Sequence, residues 1–162
     1  MSESNTATLG SSYTEMTEML QPNDANALGR ALGGVVLHWM DICAAISALR
    51  FSQEQVVTAS IDHVDFKQPI DIGEVAVVES YVFNTGRSSL DVKVDVHAEN
   101  PLEGTRRETT SSFLTFVAIG DDGRPVDVPD LVCETENETA LKEEAITERE
   151  EKLTELIERL DE

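Results

Sequence analysis

Positive charge is what this 162-residue sequence has least of: 12 Lys and Arg stand against 32 Asp and Glu, a formal net charge of −20. Affinity for nucleic acid is supplied largely by Lys and Arg neutralising phosphates, so a field this negative argues against nucleic-acid and anionic-membrane partners. Cysteine is scarce too. Cys43 and Cys133 are too few for a disulfide framework or a metal cluster, and Cys43 lies in an apolar run where a free thiol behaves as a small hydrophobe. His63 and His97 share no metal-like spacing with each other or with the cysteines, so no metal is assigned. No apolar run approaches the roughly 20 residues of a membrane helix, and the opening MSESNTATLGSS lacks the basic start and apolar centre of a secretory signal. A cytoplasmic location is the expectation. At molar salt the screening length falls to about 3 Å and the self-repulsion of such a chain largely vanishes. With eight Arg but four Lys, the composition reads as salt-adapted.

Glycine and proline are missing from one region only. All nine glycines and all five prolines precede Cys133, whereas residues 134–162 carry twelve acids and four bases. The chain is expected to divide into a domain over residues 1–132 and an acidic helical C-terminal extension over 133–162. In the extension Ile146, Leu153, Leu156 and Leu160 follow an a/d stripe barely two heptads long. This reads as a solvated helix laid against its own domain or a neighbouring subunit, with a partner-binding helix as the alternative.

What is present is a single long apolar run followed by strands. Residues 35–49, VVLHWMDICAAISAL, are apolar nearly all round and long enough to be a buried helix. Residues 57–66 and 74–83 are β-rich, and Leu90, Val92, Val94, Val96 and Ala98 alternate with Asp91, Lys93, Asp95 and His97 as a period-two strand. Residues 109–119 supply another strand and residues 13–19 an opening one. Asn84-Thr85-Gly86 marks a hairpin, and Asp121 to Pro125 a turn. Short connections imply antiparallel neighbours, so the class is α+β: one helix wrapped by a curved antiparallel sheet.

Asp41 is the one acid inside the apolar helix, and an ionised carboxylate there costs several kcal/mol unless it is paired or solvated. Gly33-Gly34 at the helix start offers bare N–H groups and the positive end of the helix dipole, a candidate oxyanion site two turns from Asp41. Two readings stand: a base and an oxyanion cradle on one helix side, or a structural aspartate beside a glycine turn. His38, between them, is either a proton relay or a packing histidine. Gly86, Arg87 and Ser88, with Arg106, Arg107 and Lys67, place bases at turns and suit a small phosphate-bearing ligand, although surface bases are commonly only solvated.

Four motifs together resemble the acyl-CoA thioesterases of the hotdog fold, in the branch that includes cytosolic brain-type acyl-CoA hydrolases. They are DANALGRALGGVVLHWMDICAAI at 24–46, VVTASIDHVDFKQPIDIGEVAVVESYV at 56–82, GRSSLDVKVDV at 86–96 and SSFLTFVAIGDDGRPVDVP at 111–129. The likeness covers roughly residues 10–131. It implies a sheet wrapped round the central helix, subunits paired into dimers and commonly hexamers, and an acyl-CoA site between subunits. By the same resemblance Asp41 carries the catalytic carboxylate, Gly33 and Gly34 hold the thioester oxygen, and Asn26 supports the loop or the site. Lys67, Gly86, Arg87, Ser88, Arg106 and Arg107 would meet the CoA nucleotide. Leu32 and Arg30 depart from the family, which often has His or Phe before the glycine pair and, in some brain-type repeats, a catalytic Asn at the second position. The implied reaction is acyl-CoA plus water giving CoA and a carboxylic acid, with no cofactor or metal beyond the substrate's own CoA. An enoyl-thioester hydratase or dehydratase, and a non-catalytic CoA-binding or assembly module, are the rivals.

Overall fold

The computed structural model of the chain describes residues 5–161. In order along the chain come β1 (Thr6–Thr8), the single turn α1 (Leu9–Ser12), β2 (Thr14–Met19), α2 (Gly33–Ser52), β3 (Gln55–Ile61), β4 (Val75–Thr85), β5 (Ser89–Asn100), β6 (Thr105–Ile119), β7 (Asp130–Val132) and α3 (Glu136–Leu160). Short loops join β4 to β5 and β5 to β6, so those neighbours pair antiparallel, and the five-stranded sheet runs β2-β4-β5-β6-β3. β1 and β7 form a separate parallel pair.

The sheet curls round α2, which touches all five of its strands. Met40, Cys43, Ala44, Ala48 and Phe51 are buried against Val78 and Val82 of β4 and against Leu90, Val92, Val94 and Val96 of β5. Each such fully buried large side chain contributes roughly 1.5–3 kcal/mol. The alternation of β5 thereby sorts its two faces: the even positions meet α2, and Asp91, Lys93, Asp95 and His97 turn to the other side. Cys43 is packing, as its setting in the sequence implies. Its thiol lies 3.2 Å from the Ser80 hydroxyl and burial pushes it up from its ordinary pKa, away from nucleophilic use.

On the sheet's other face α3 lies over a second, smaller core of Leu9, Tyr81, Phe83, Phe113 and Ala145, where the Phe83 and Phe113 rings meet edge to face at 5.6 Å. Burial drives the Tyr81 phenol up to about 12. Past Ile146 the helix is held by ion pairs, and Leu153, Ile157 and Leu160 remain exposed.

Two expectations require correction. The strand expected over residues 57–66 leaves the ladder at Ile61, because Thr110 and Ser112 hydroxyls donate to the carbonyls of Asp65, Asp62 and His63 where backbone N–H groups would otherwise bind. The apolar helix is longer than its densest stretch: α2 has 20 residues, and an 18-residue window of it has a mean hydropathy of 1.4, enough by length and composition to cross a membrane. Here one side of it seals the sheet, while His38, Ile42 and Leu49 on the other stay exposed.

Candidate active site

α2 begins without a side-chain cap. Leu32 takes the N-cap position in extended conformation, and its carbonyl accepts from the N–H groups of Val35 and Val36. Helix starts ordinarily recruit Ser, Thr, Asp or Asn to satisfy their first donors. Here, among the described residues, the N–H groups of Gly33 and Gly34 have no hydrogen-bond partner. A Cβ on Gly33 would touch the Phe66 ring at 3.5 Å, and one on Gly34 would meet nothing within 4 Å. Two aligned donors at the positive end of the dipole therefore open onto free space with one aromatic wall.

The loop before the helix is fastened by Asn26. Its Oδ1 accepts from the N–H groups of Leu28 at 2.9 Å and Arg30 at 3.2 Å, and its own N–H donates to the Arg30 carbonyl at 2.8 Å. The left-handed backbone of Gly29, at φ 75°, closes this turn. Asn26 thus acts on Gly33 through the backbone it organises.

Asp41 follows two turns, about 10 Å, along α2. The expectation of a carboxylate sequestered among apolar side chains is corrected: Asp41 is half-buried, on the side of α2 that faces β3, and exposed Ile42 follows it. An apolar run cannot reveal which side the sheet covers. The Thr58 hydroxyl donates to Asp41 Oδ1 at 2.9 Å, and among the described residues Oδ2 has no partner. Thr58 was not singled out from the sequence. It lies beside a bulge where the β3–β6 register slips between Thr58 and Ser60, and no local motif announces a bond from mid-strand to mid-helix. His38 is exposed and hydrogen-bonded to nothing described, so it is not joined to Asp41.

The bases fall into separate places. Lys67 is exposed beside Phe66, and its backbone N–H donates to the Thr109 carbonyl at 2.9 Å. Arg87 sits in the β4–β5 hairpin, where a Cβ on Gly86 would come 2.5 Å from the Ser89 hydroxyl, which would have to turn away. Arg87 Nε reaches Asp127 at 3.0 Å in open solvent, and the Ser88 carbonyl accepts from the N–H of Ala118. Arg106 and Arg107 lie at the far end of β5, about 30 Å away along the strand. Arg106 pairs with Glu79, and Arg107 grips both oxygens of Glu74 at 2.7 Å, holding that carboxyl below its ordinary range. One chain does not bring Arg87 together with Arg106 and Arg107, because the β5–β6 register separates them. Among the described residues no three His, Cys, Asp or Glu side chains cluster as metal ligands.

A family model described as the thioesterase superfamily matches residues 28–105. An acyl-CoA thioester hydrolase of Bacillus subtilis is 42% identical over 130 residues, covering 80% of this chain and 76% of that protein. A cytosolic acyl coenzyme A thioester hydrolase of rat is 32% identical over 85% of this chain, which spans 36% of the rat protein's length. The crystal structure of a hexameric apo acyl-CoA thioesterase superposes with a TM-score of 0.83 at 40% identity, covering 94% of this chain and 97% of the other. An acyl-CoA hydrolase of Staphylococcus aureus, solved with butyryl-CoA, CoA and CoA disulfide, superposes with a TM-score of 0.79 at 29% identity over 97% of this chain and 99% of that one. That enzyme has also been solved with an aspartate, a threonine or an asparagine replaced by alanine. By identity, coverage and hotdog architecture together, the chain belongs to the acyl-CoA thioester hydrolases of the thioesterase superfamily.

Proposed function

We propose that the chain hydrolyses acyl-CoA to free CoA and a carboxylic acid, with Asp41 as the reacting carboxylate and the N–H groups of Gly33 and Gly34 as the oxyanion donors. The observation that carries this reading is the free oxygen of Asp41, held by Thr58 on the helix whose uncapped start opens onto space. In the Staphylococcus aureus enzyme the three residues replaced by alanine are spaced along the sequence as Asn26, Asp41 and Thr58 are here, which supports the same set in this chain.

Asp41 takes a proton from water as the water oxygen attacks the thioester carbon, and the carbonyl oxygen gathers negative charge against the two N–H groups. Collapse breaks the C–S bond, and the proton returns to the CoA thiolate. Base assistance is worth roughly 10² to 10⁴ in rate and a positioned oxyanion donor roughly 10² to 10³. Direct attack by Asp41 through an anhydride begins from the same oxygen. CoA is part of the substrate, and the reaction as written uses no other cofactor and no metal. A hydratase would need a histidine coupled to the carboxylate, and His38 makes no such bond.

Self-association belongs to the proposal. The single chain leaves the β3 edge and the outer side of α2 open, and relatives of this fold are hexameric, which supports pairing into dimers and assembly into hexamers. Lys67, Arg87 and Ser88 from neighbouring subunits would then share the CoA phosphates. We place the activity in the cytoplasm, as the name of the rat relative supports. The test is thiol release from a chain-length series of acyl-CoAs in high salt, with wild type and Asp41→Asn. Asp41→Asn is expected to lose roughly 10² to 10⁴ in kcat. Unchanged turnover removes Asp41 from the mechanism, and no release by wild type from any acyl-CoA favours a binding module.

A further inference from the structure

The ring of Phe66 stands 3.5 Å from the place a Gly33 Cβ would take, beside the open N–H groups of the helix start. Phe66 is nevertheless 50% exposed, so its own packing does not fix the ring there. Its position depends on the backbone that carries it, and that backbone is loosely sewn to the sheet. At the two ends of the segment, Asp62 and Lys67 donate their N–H groups to the Phe113 and Thr109 carbonyls of β6, each at 2.9 Å. Among the described residues the N–H groups of residues 63–66 make no backbone bond.

α3 holds the segment from outside. Arg149 Nε and Nη2 donate to the two carboxylate oxygens of Asp62 at 3.0 and 3.1 Å, the bidentate geometry in which a guanidinium binds most firmly. The same guanidinium is itself fixed to the sheet. Nη1 lies 3.2 Å from Asp91 Oδ1, Nη2 donates to the Thr115 hydroxyl at 3.3 Å, and the guanidinium carbon stands 5.8 Å from the centre of the Phe113 ring. Arg149 therefore joins β5 and β6 to the chain four residues before Phe66. Arg159 also meets Asp65, at 3.7 Å, but that pair is about half exposed and contributes little.

We propose that α3 acts as a strap for the reaction. Arg149 is a positioning residue that, through Asp62, keeps the Phe66 ring against Gly33, so that the oxyanion donors meet the thioester with water shut out on that side. The proposal rests on the hydrolase reading. Hydrogen bonds to a developing oxyanion strengthen as water is excluded, and a displacement of about 1 Å in the groups that shape a site can cost up to about 10²-fold in rate.

The test uses the full-length chain, its Arg149→Met, Asp62→Asn, Phe66→Ala and Glu148→Gln variants and the Arg149→Met/Phe66→Ala double variant, with melting curves to show that each is folded at the assay temperature. Glu148→Gln is the control: it loosens α3 at Lys93, 3.0 Å away, without touching residues 62–67. Arg149→Met and Phe66→Ala are each expected to lower kcat about tenfold with KM changed less than about threefold, the double variant to fall no further than Phe66→Ala, and Glu148→Gln to keep wild-type kcat. If Arg149→Met does not fold, Asp62→Asn carries the test, because it leaves Arg149 its bonds to Asp91 and Thr115. A second readout does not depend on activity. Amide hydrogen exchange in the peptide spanning residues 62–67 is expected to quicken about tenfold in Arg149→Met and in Asp62→Asn and to stay unchanged in Glu148→Gln. Unchanged exchange in a folded Arg149→Met variant overturns the strap. Faster exchange with unchanged kcat, a raised KM alone, or losses that add in the double variant overturn its link to Phe66 and the reaction. A wild type that releases no thiol from any acyl-CoA while Arg149→Met quickens exchange keeps the strap as structure and removes the hydrolase reading with its catalytic use.

Discussion

At Gly34 the helix carries a residue that weakens it. Glycine within a helix costs roughly 0.5–1 kcal/mol relative to alanine, and a Cβ at this position would meet nothing within 4 Å, so the fold itself does not ask for it. Gly34→Ala is therefore expected to gain roughly 0.5–1 kcal/mol of stability in urea unfolding and to lose hydrolysis, because the added methyl occupies the space over the open N–H groups. A variant that gains stability and keeps full activity would move the oxyanion away from this helix start. Thr58 gives the complementary experiment. Thr58→Val keeps the shape of the side chain and removes the donor to Asp41, so kcat is expected to fall about tenfold with little change in KM, and Thr58→Ser is expected to restore it. Asp41 could be singled out as a lone charge in an apolar run, but its partner could not. The bond joins residues on two elements whose alignment depends on a strand bulge, and a bulge leaves no fixed mark in sequence.

Among the elements, those with an unbroken period were legible. β5 alternates without interruption and α2 is apolar nearly all round, and both form where the sequence puts them, α2 with a longer span than its densest apolar stretch. Residues 62–66 were misread because their composition suits a strand. Hydroxyls from β6 take the bonds that a ladder would have used, which period alone cannot disclose. α3 is tied to this same segment through Arg149, whose guanidinium reaches Asp62 at 3.0 and 3.1 Å and Asp91 at 3.2 Å. These groups are only partly exposed, so Arg149→Met is expected to cost about 2 kcal/mol in urea unfolding, less than a fully buried pair would lose. The far end of the sheet carries a pH dependence. Arg107 holds the Glu74 carboxyl below its usual 4.5, so this contribution is fully present above that value and fades as pH falls beneath it. Acid unfolding should steepen below about pH 4.5, and Arg107→Met should flatten that limb.

Across the whole molecule the surplus of negative charge is spread over both face-packed units, and α3 with its flanks contributes twelve acids against four bases. Self-repulsion among them acts over roughly 10 Å in 0.1 M salt and over roughly 3 Å at 1 M. The ion pairs that dock α3 are partly buried and are screened much less, so added salt removes more repulsion than attraction. Melting followed by circular dichroism should therefore shift upward by several degrees between 0.1 M and 2 M potassium chloride; chloride is the appropriate anion because sulfate would add its own exclusion effect. A melting temperature that stays flat removes the salt-adapted reading of the composition.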